Sequence, residues 1–369
     1  MALALGVDTG GTYTDAVLIR DEREVVASAK ALTTKADLAV GIGAAVEAVL
    51  AASGVDVAEI GLASLSTTLA TNALVEGQGG RAGLVYIGFR AADLQAHGLA
   101  EALGGDPALV VSGGHSHAGS EAAALDREAL LAWLETDPGA SAYAVASLFA
   151  TRNPAHELAA AEMIREVTGK PVSLSHHLSA KLNGPKRALT ALLNARLIAM
   201  IARLIDRAEG KLRDLGVTAP LMVVRGDGAL ISADQARERP IETILSGPAA
   251  SIVGARWMTG ADHALVSDIG GTTTDVAVLT GGRPAIDPQG ARVGPWRTMV
   301  EAVAMRTFGL GGDSEVHVQD AGLTGGVTLG PRRVVPVSLM ALEAGAAVHA
   351  ALEDQLRASA PGEHDARFV

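Results

Sequence analysis

Two eight-residue stretches carry residue types that handle phosphate and metal. They are Asp8-Thr-Gly-Gly-Thr-Tyr-Thr-Asp15 and, far downstream, Asp268-Ile-Gly-Gly-Thr-Thr-Thr-Asp275. Both read D-x-G-G-T-x-T-D, and short apolar runs flank each: residues 3–7 and 16–19 around the first, 264–267 and 276–279 around the second. The pattern predicts a β-hairpin whose tight turn cradles an anion. Adjacent glycines permit positive φ and leave no Cβ between backbone N–H groups and a ligand. Threonine hydroxyls add donors, and an aspartate at a strand end suits a Mg²⁺ held through its water shell. Strands on both sides separate this pattern from the Rossmann and P-loop turns, which lead into a helix, the P-loop also requiring a Lys. One copy would fit an ordinary Gly-rich hairpin equally well. Two copies sharing both acids, both glycines and two threonines argue against that, and suggest two halves of one site.

The elements around these stretches alternate as in an α/β fold. A strand at 25–30, a helix at 37–53 ending on Gly54 and a strand at 60–66 complete the β-β-β-α-β order of a ribonuclease H-like unit. Ser66-Thr-Thr-Leu-Ala-Thr-Asn72 then opens a helix at a strand end, where α/β folds place ligands; simple N-capping is the alternative. Strands are expected at 83–87, 142–148, 171–174 and 221–224. The helix between the middle pair starts at Asn153-Pro154 and stops at Gly169. Residues 185–215 form the longest helix. Leu189, Leu192, Leu193, Leu197, Met200, Ile201, Leu204 and Ile205 make one apolar face, while Asn194 and Arg196 are expected at the surface. At ~1.5 Å per residue, such a helix is long enough to bridge two lobes.

Three further small-residue stretches follow strands. Arg225-Gly-Asp-Gly228 is a tight turn. Ser246-Gly-Pro-Ala-Ala250 enters a helix whose N-terminus favours anions, with a plain helix start as the other reading. Phe308-Gly-Leu-Gly-Gly-Asp-Ser314 is a third glycine turn, able to approach a flat ring or sugar closely. Residues 281–298 read as a loop excursion, 338–356 as a final helix and 361–369 as a mobile polar tail. Gly113-Gly-His-Ser-His117 reads as an exposed loop rather than a metal site. His176 and His177 stay open between a cleft and water.

Composition excludes several classes. Thirty Lys and Arg against 41 Asp and Glu give a net charge of −11, with no basic block, so no nucleic-acid footprint is present. With no cysteine there is no disulfide, thiolate site or Cys nucleophile, which fits a reducing, cytoplasmic setting. The N-terminus reads directly into a strand instead of a basic leader, and no uncharged apolar run reaches the ~18 residues of a membrane span. The 369 residues suffice for two domains with full cores.

Taken with the 67–74, 113–115, 225–228, 246–250 and 309–314 stretches, the two hairpins resemble the hydantoinase/oxoprolinase A-subunit family of the actin/Hsp70/sugar-kinase superfamily. The resemblance implies two ribonuclease H-like lobes, residues 1–184 and 185–369, flanking a nucleotide cleft. It implies ATP and Mg²⁺ as cofactors, with Asp8 and Asp268 as catalytic metal or water holders. Gly10, Gly11, Thr12 and Thr14 would then bind phosphate, as would Gly270, Gly271, Thr272 and Thr274, while Gly311 and Gly312 would lie on the adenosine side. Thr67, Thr68, Asn72 and Asp227 would face substrate. Asp15 and Asp275 are split between metal duty and fixing the hairpins through backbone bonds. The implied reaction is opening of a cyclic amide, such as a hydantoin or 5-oxoproline, by phosphorylating the amide oxygen. The alternatives are an ATP-driven switch or reactivation chaperone and an acetone-carboxylase-like subunit. A separate B subunit and a homo-oligomer are both compatible with the family; a membrane partner is not implied. One departure stands out: many relatives have His-Gly where this chain has Leu65-Ser66, and they run longer.

Overall fold

The computed structural model describes residues 3–34, 36–319 and 326–358. The tail expected at 361–369 lies outside the described residues. Contacts divide the chain into two compact units: residues 1–260 with 283–304, and residues 261–282 with 305–369.

The first unit begins with β1 (Leu3–Thr9), β2 (Tyr13–Arg20) and β3 (Glu24–Leu32), an antiparallel meander. Alternation along β1 buries Leu3, Leu5 and Val7 and turns Gly6 and Asp8 to the opposite face. Helix α1 (Leu38–Ser53) packs on β2 and β3. It is capped by Asp37, which accepts from the Ala39 N–H at 3.2 Å, and ends on the left-handed Gly54. Strand β4 (Ile60–Thr67) lies parallel to β1, and α2 (Leu69–Val75) follows it.

A second, fully parallel sheet then interrupts the first. Its strands are β5 (Ala82–Ile87), β6 (Ala108–Val111), β7 (Ala142–Ser147) and β8 (Val172–Leu174), in the order β6-β5-β7-β8. Among its helices, α3 (Leu99–Leu103), α4 (Arg127–Glu135), α5 (Ala155–Thr168) and the short α6 (Ser175–Leu178), α4 and α5 cover one face. They close a core of Val85, Ile87, Val145, Leu130 and Ile164. The strands are apolar on both faces, as parallel strands between layers must be.

Helix α7 (Gly184–Asp214) joins the two sheets, packing on β5, β7 and β8 as well as on α1. Its predicted apolar face is buried from Leu189 to Ile205, apart from the half-buried Met200. By length and composition it could cross a membrane, but that face is the centre of the unit's core. It belongs to the first compact unit throughout. Asn194 corrects the expectation of a surface residue. It is fully buried; its amide donates to Ser173 Oγ and the Glu238 carbonyl, both at 3.0 Å, and its oxygen accepts from the Ile241 N–H. Arg196 is likewise largely covered, its guanidinium on Asp106 at 2.8 Å. Each packs against elements distant in sequence, which helical periodicity alone does not reveal.

After α7 the chain returns to the first sheet. Strand β9 (Leu221–Val224) lies parallel to β4, and β10 (Leu230–Ser232) adds antiparallel, giving the order β10-β9-β4-β1-β2-β3. Helices α8 (Ala233–Glu238) and α9 (Ser246–Thr259) follow. The stretch expected as a loop at 281–298 contains the two-residue strands β13 (Arg283–Pro284), β14 (Arg292–Val293) and β15 (Trp296–Arg297), and residues 283–304 bury Ala291, Val293, Val300 and Ala302 in the main core. The second unit holds the hairpin β11 (Ala264–Ile269) and β12 (Thr274–Thr280), with β16 (Met305–Phe308) pairing on β12. It also holds the hairpin β17 (Ser314–Gln319) and β18 (Gly326–Arg333) and the helix α10 (Val337–Ala358).

Because the buried Asn194 satisfies three partners at once, Asn194→Ala should destabilise the first unit by roughly 2–4 kcal/mol. Denaturant unfolding followed by circular dichroism checks this; a change within about 0.5 kcal/mol would mean the amide is not a structural tie.

Candidate active site

Three parallel strands aim the first unit's motifs at one edge. Strands β1, β4 and β9 run in the same direction side by side, and their C-terminal ends lead into the 10–12 turn, the 68–72 stretch and the Arg225–Gly228 turn. The carboxyl edge of a parallel sheet is where α/β proteins bind ligands. Asp8 stands beside Asp15 on one side and Ser66 on the other. Together with Gly6, Ser28, Lys30, Ser64 and Ala250, these residues line a cavity of about 460 Å³.

Helix α9 closes that edge. Ser246 Oγ accepts from the Thr67 N–H at 3.3 Å and donates to the Thr67 carbonyl at 2.9 Å, pinning the helix start to the end of β4. A Cβ added to Gly247 would meet Asp8 Oδ1 at 3.9 Å and Ser66 Oγ at 4.0 Å. The first turn of α9 therefore lies beside Asp8, where its positive end favours the carboxylate or a bound anion. Ser66 Oγ is buried with no hydrogen-bond partner among the described residues, a polar group that a ligand or water would satisfy.

Both predicted hairpins form, in one register. Asp8 pairs with Asp15 as Asp268 does with Asp275, and Thr9 with Thr14 as Ile269 does with Thr274. The Gly10 N–H donates to the Tyr13 carbonyl at 3.0 Å and the Gly270 N–H to the Thr273 carbonyl at 2.8 Å. Neither glycine pair takes a positive φ, which corrects that part of the sequence argument. What the glycines supply is space: nothing lies within 4 Å of a Cβ on Gly11 or Gly271. Thr12 and Thr272 are exposed at the turns.

Thr14 and Thr274 are not at the surface, contrary to their expected phosphate contacts. Both are buried, Thr14 sharing a 3.0 Å hydrogen bond with Thr33 and Thr274 donating to the Leu310 carbonyl at 2.6 Å. Strand alternation explains this, because a threonine next to the strand-end acid must face the other side. The second acids bind side chains on the neighbouring strand, not backbone. Asp15 pairs with Lys30 at 3.1 Å, and Asp275 accepts from Thr307 Oγ1 at 2.6 Å.

Gly311 and Gly312 pack within the second unit, on its hairpin. The N–H groups of Gly312 and Asp313 donate to the carbonyls of Gly270 and Gly271 at 3.1 and 2.8 Å. A Cβ on Gly311 would lie 2.5 Å from the Thr272 nitrogen. The missing side chain at 311 is thus required by the hairpin itself.

The remaining candidates are mixed. Thr67 is buried and its hydroxyl accepts from the Leu69 N–H at 3.1 Å, a capping role. Thr68 is half-buried and accepts from the exposed Asn72 amide at 3.3 Å. Asp227 is committed to Arg225 at 3.0 Å and to the Ala229 N–H. The buried Glu242, which stands between Arg225 and Arg239, was not singled out by sequence; a lone Glu in a Pro-Ile-Glu-Thr run has no chemical signature. His115 is buried, not exposed, and its ring lies tilted against His156 with centroids 4.4 Å apart. His176 Nδ1 and Ser175 Oγ both bond the fully buried Glu157, each at 2.5 Å. No group of three or more metal-binding side chains occurs among the described residues.

Two family models match, hydantoinase/oxoprolinase N-terminal region at residues 4–168 and hydantoinase/oxoprolinase at residues 187–338. The chain belongs to the hydantoinase/oxoprolinase family. Among its curated relatives are the acetophenone carboxylase gamma subunit of Aromatoleum aromaticum, 31% identical over 89% of this chain and 49% of that one, and the caprolactamase subunit alpha of Pseudomonas jessenii, 28% identical over 89% and 50%. The crystal structure of the latter organism's ATP-dependent caprolactamase superposes with a TM-score of 0.73 over 89% of this chain and 51% of that one, at 28% identity. The chain spans about half the length of the curated relatives it matches.

In this family member the Asp275 carboxyl is pushed above the usual carboxylate range by burial; the Thr307 hydrogen bond opposes this and the nearby Asp268 charge reinforces it. Asp268→Asn should lower the Asp275 pKa and Thr307→Val should raise it, read by carboxylate NMR titration. The folded pKa is raised, so the group's stabilising contribution is present below the unfolded value and lost as pH rises through the folded one.

Proposed function

We propose that this chain is the ATP-using part of an enzyme that opens a cyclic amide. The observation that carries this reading is the repeated D-x-G-G-T-x-T-D hairpin in one register, in a chain of the hydantoinase/oxoprolinase family. The caprolactamase relative supports a lactam as substrate class. The order β3-β2-β1-β4-β9, with β1, β4 and β9 parallel, supports a ribonuclease H-like first unit.

A lactam carbonyl is a poor electrophile. Transfer of the ATP γ-phosphoryl group to the amide oxygen releases ADP and makes that oxygen a leaving group. Water then adds to the ring carbon, the C–N bond breaks to leave the ring amine and an acyl phosphate, and a second water cleaves the acyl phosphate to carboxylate and phosphate. Phosphoryl transfer needs positioning and charge neutralisation more than covalent chemistry from the protein. In this reading the open amides around Gly11 and Gly271, with the hydroxyls of Thr12 and Thr272, contact phosphate oxygens. The start of α9 and Ser66 face the reacting end beside Asp8. Thr14, Thr67, Thr274 and Gly311 hold the turns in shape and touch no ligand.

Within the first unit, Asp8 offers a hard carboxylate oxygen at the end of β1 and the Ser66 hydroxyl adds a buried acceptor beside it, oxygen donors of the kind Mg²⁺ takes. Bound there, Mg²⁺ would neutralise phosphate charge.

The acetophenone carboxylase relative supports a second reading, a subunit that phosphorylates an oxygen during carboxylation. ATP turnover measured against a panel of lactams, hydantoins and ketones, with a candidate partner subunit and with ADP, AMP and phosphate quantified, separates the two. Lactam- or hydantoin-stimulated ADP formation is expected, falling roughly 100-fold or more in Asp8→Asn and in Asp268→Asn. Stimulation by ketone and bicarbonate alone would replace the amide reading, and no stimulation by any substrate would sink both.

A further inference from the structure

A cavity of about 340 Å³ in the first unit gathers positive charge. Its lining includes His97, Lys181, Lys186, Gln289, Arg297 and Met299. Asp287 is the acid that acts on Lys186, and Arg297 holds it at 2.6 Å. Lys186 Nζ reaches a carbonyl, that of Gln289 at 2.7 Å. Among the described residues, neither Lys181 nor Lys186 has a carboxylate within ion-pair distance. Such a grouping is unexpected in a chain with net charge −11, where most exposed cations can find an acid.

We propose that this cavity binds a small anionic molecule through its carboxylate or phosphate group, held by Lys181, Lys186 and Arg297. Three observations converge on it. Like charges packed around an empty space repel one another, and an anion converts that repulsion into attraction. Consistent with this, burial and the neighbouring Arg297 and Lys181 charges push the Lys186 amine below its usual value.

Two of the donors, Lys186 and Arg297, are also held in place. Asn183 Oδ1 accepts from the Lys186 N–H at 3.1 Å, so its amide NH₂ faces His97 Nε2 at 2.9 Å. An amide NH₂ only donates, so Nε2 accepts and the His97 proton sits on Nδ1. Arg297 is oriented by Asp287 and by the Gly290 carbonyl at 3.0 Å. The Met299 N–H donates to Thr190 Oγ1 on α7 at 3.0 Å, which anchors the 287–299 segment to the helix that carries Lys186. The third observation is size. A space of this volume is at the lower end of small-molecule sites, which favours a compact anion over a nucleotide.

Calorimetric titration of the whole chain with malonate and with inorganic phosphate at low ionic strength tests the proposal. Saturable one-site binding is expected. It should weaken roughly tenfold or more in the Lys181→Gln/Lys186→Gln double variant, as loss of charge-assisted contacts implies. Lys181 is exposed, so Lys181→Gln alone supplies a variant that leaves the helix start intact; it should weaken binding in the same direction. Lys170→Gln, which removes a lysine paired with Asp137 elsewhere, should leave affinity unchanged. Tighter malonate binding would identify a carboxylate ligand, and tighter phosphate binding a phosphorylated one. Absence of saturable binding by either anion, or equal loss in Lys170→Gln, overturns the proposal. The readout involves no ATP turnover, so failure here and failure of the amide-opening reading are separate results.

Discussion

Parallel pairing of β1, β4 and β9 is the constraint on which the first unit's site depends. Parallel strands cannot be joined by a tight turn, so each return to the sheet must travel through a crossover. The chain uses those crossovers for everything else the unit contains. The passage from β1 to β4 carries the antiparallel meander and α1. The passage from β4 to β9 carries the entire second sheet and α7. In exchange, three loops far apart in sequence end on one edge, with Asp8, Ser66 and Arg225 delivered by backbone hydrogen bonding instead of by flexible side chains. The Ser246 clamp on Thr67 adds a fourth segment, because it ties both polar groups of one peptide residue to a helix start.

The two hairpins show which parts of a repeated motif follow from backbone geometry and which are free. Register, turn closure and the burial of the second threonine are common to both. The partner of the second acid is not. Lys30 gives Asp15 a counter-charge, whereas Asp275 has a hydroxyl from Thr307 and the repulsion of Asp268. The outer acid of the first hairpin is paired with a cation, while that of the second is held by a neutral hydroxyl and is pushed above its usual pKa, first by burial and then by Asp268. Identical sequence letters thus arrive in different electrostatic states, because the third strand of each sheet is different.

Much of this was legible in the sequence, for reasons that are local. The hairpins follow from alternation and glycine pairs, α1 from Asp37 and Gly54, and α7 from its apolar periodicity. The errors share a cause. Asn194 was read as exposed because it falls off the apolar face of its helix, and His115 because it sits in a glycine-rich stretch; their partners, Ser173, Glu238, Ile241 and His156, come from other elements. Gly311 was read as making room for a ligand when it makes room for the Thr272 backbone. A missing side chain announces a close approach, but sequence does not say what approaches.

The same reasoning separates the threonines of the motif. A D-x-G-G-T-x-T-D stretch offers two hydroxyls, and composition treats them alike. Pleating does not: the residue directly after the turn glycines sits in the loop, while the next but one re-enters the strand one step from the acid and must face away from it. Thr12 and Thr272 therefore remain available to a ligand, and Thr14 and Thr274 are spent on Thr33 and on the Leu310 carbonyl. Those inward bonds tie the base of each turn to the segment beside it, so the two threonines of the motif serve by different means, one left open at the turn and the other holding the hairpin in place.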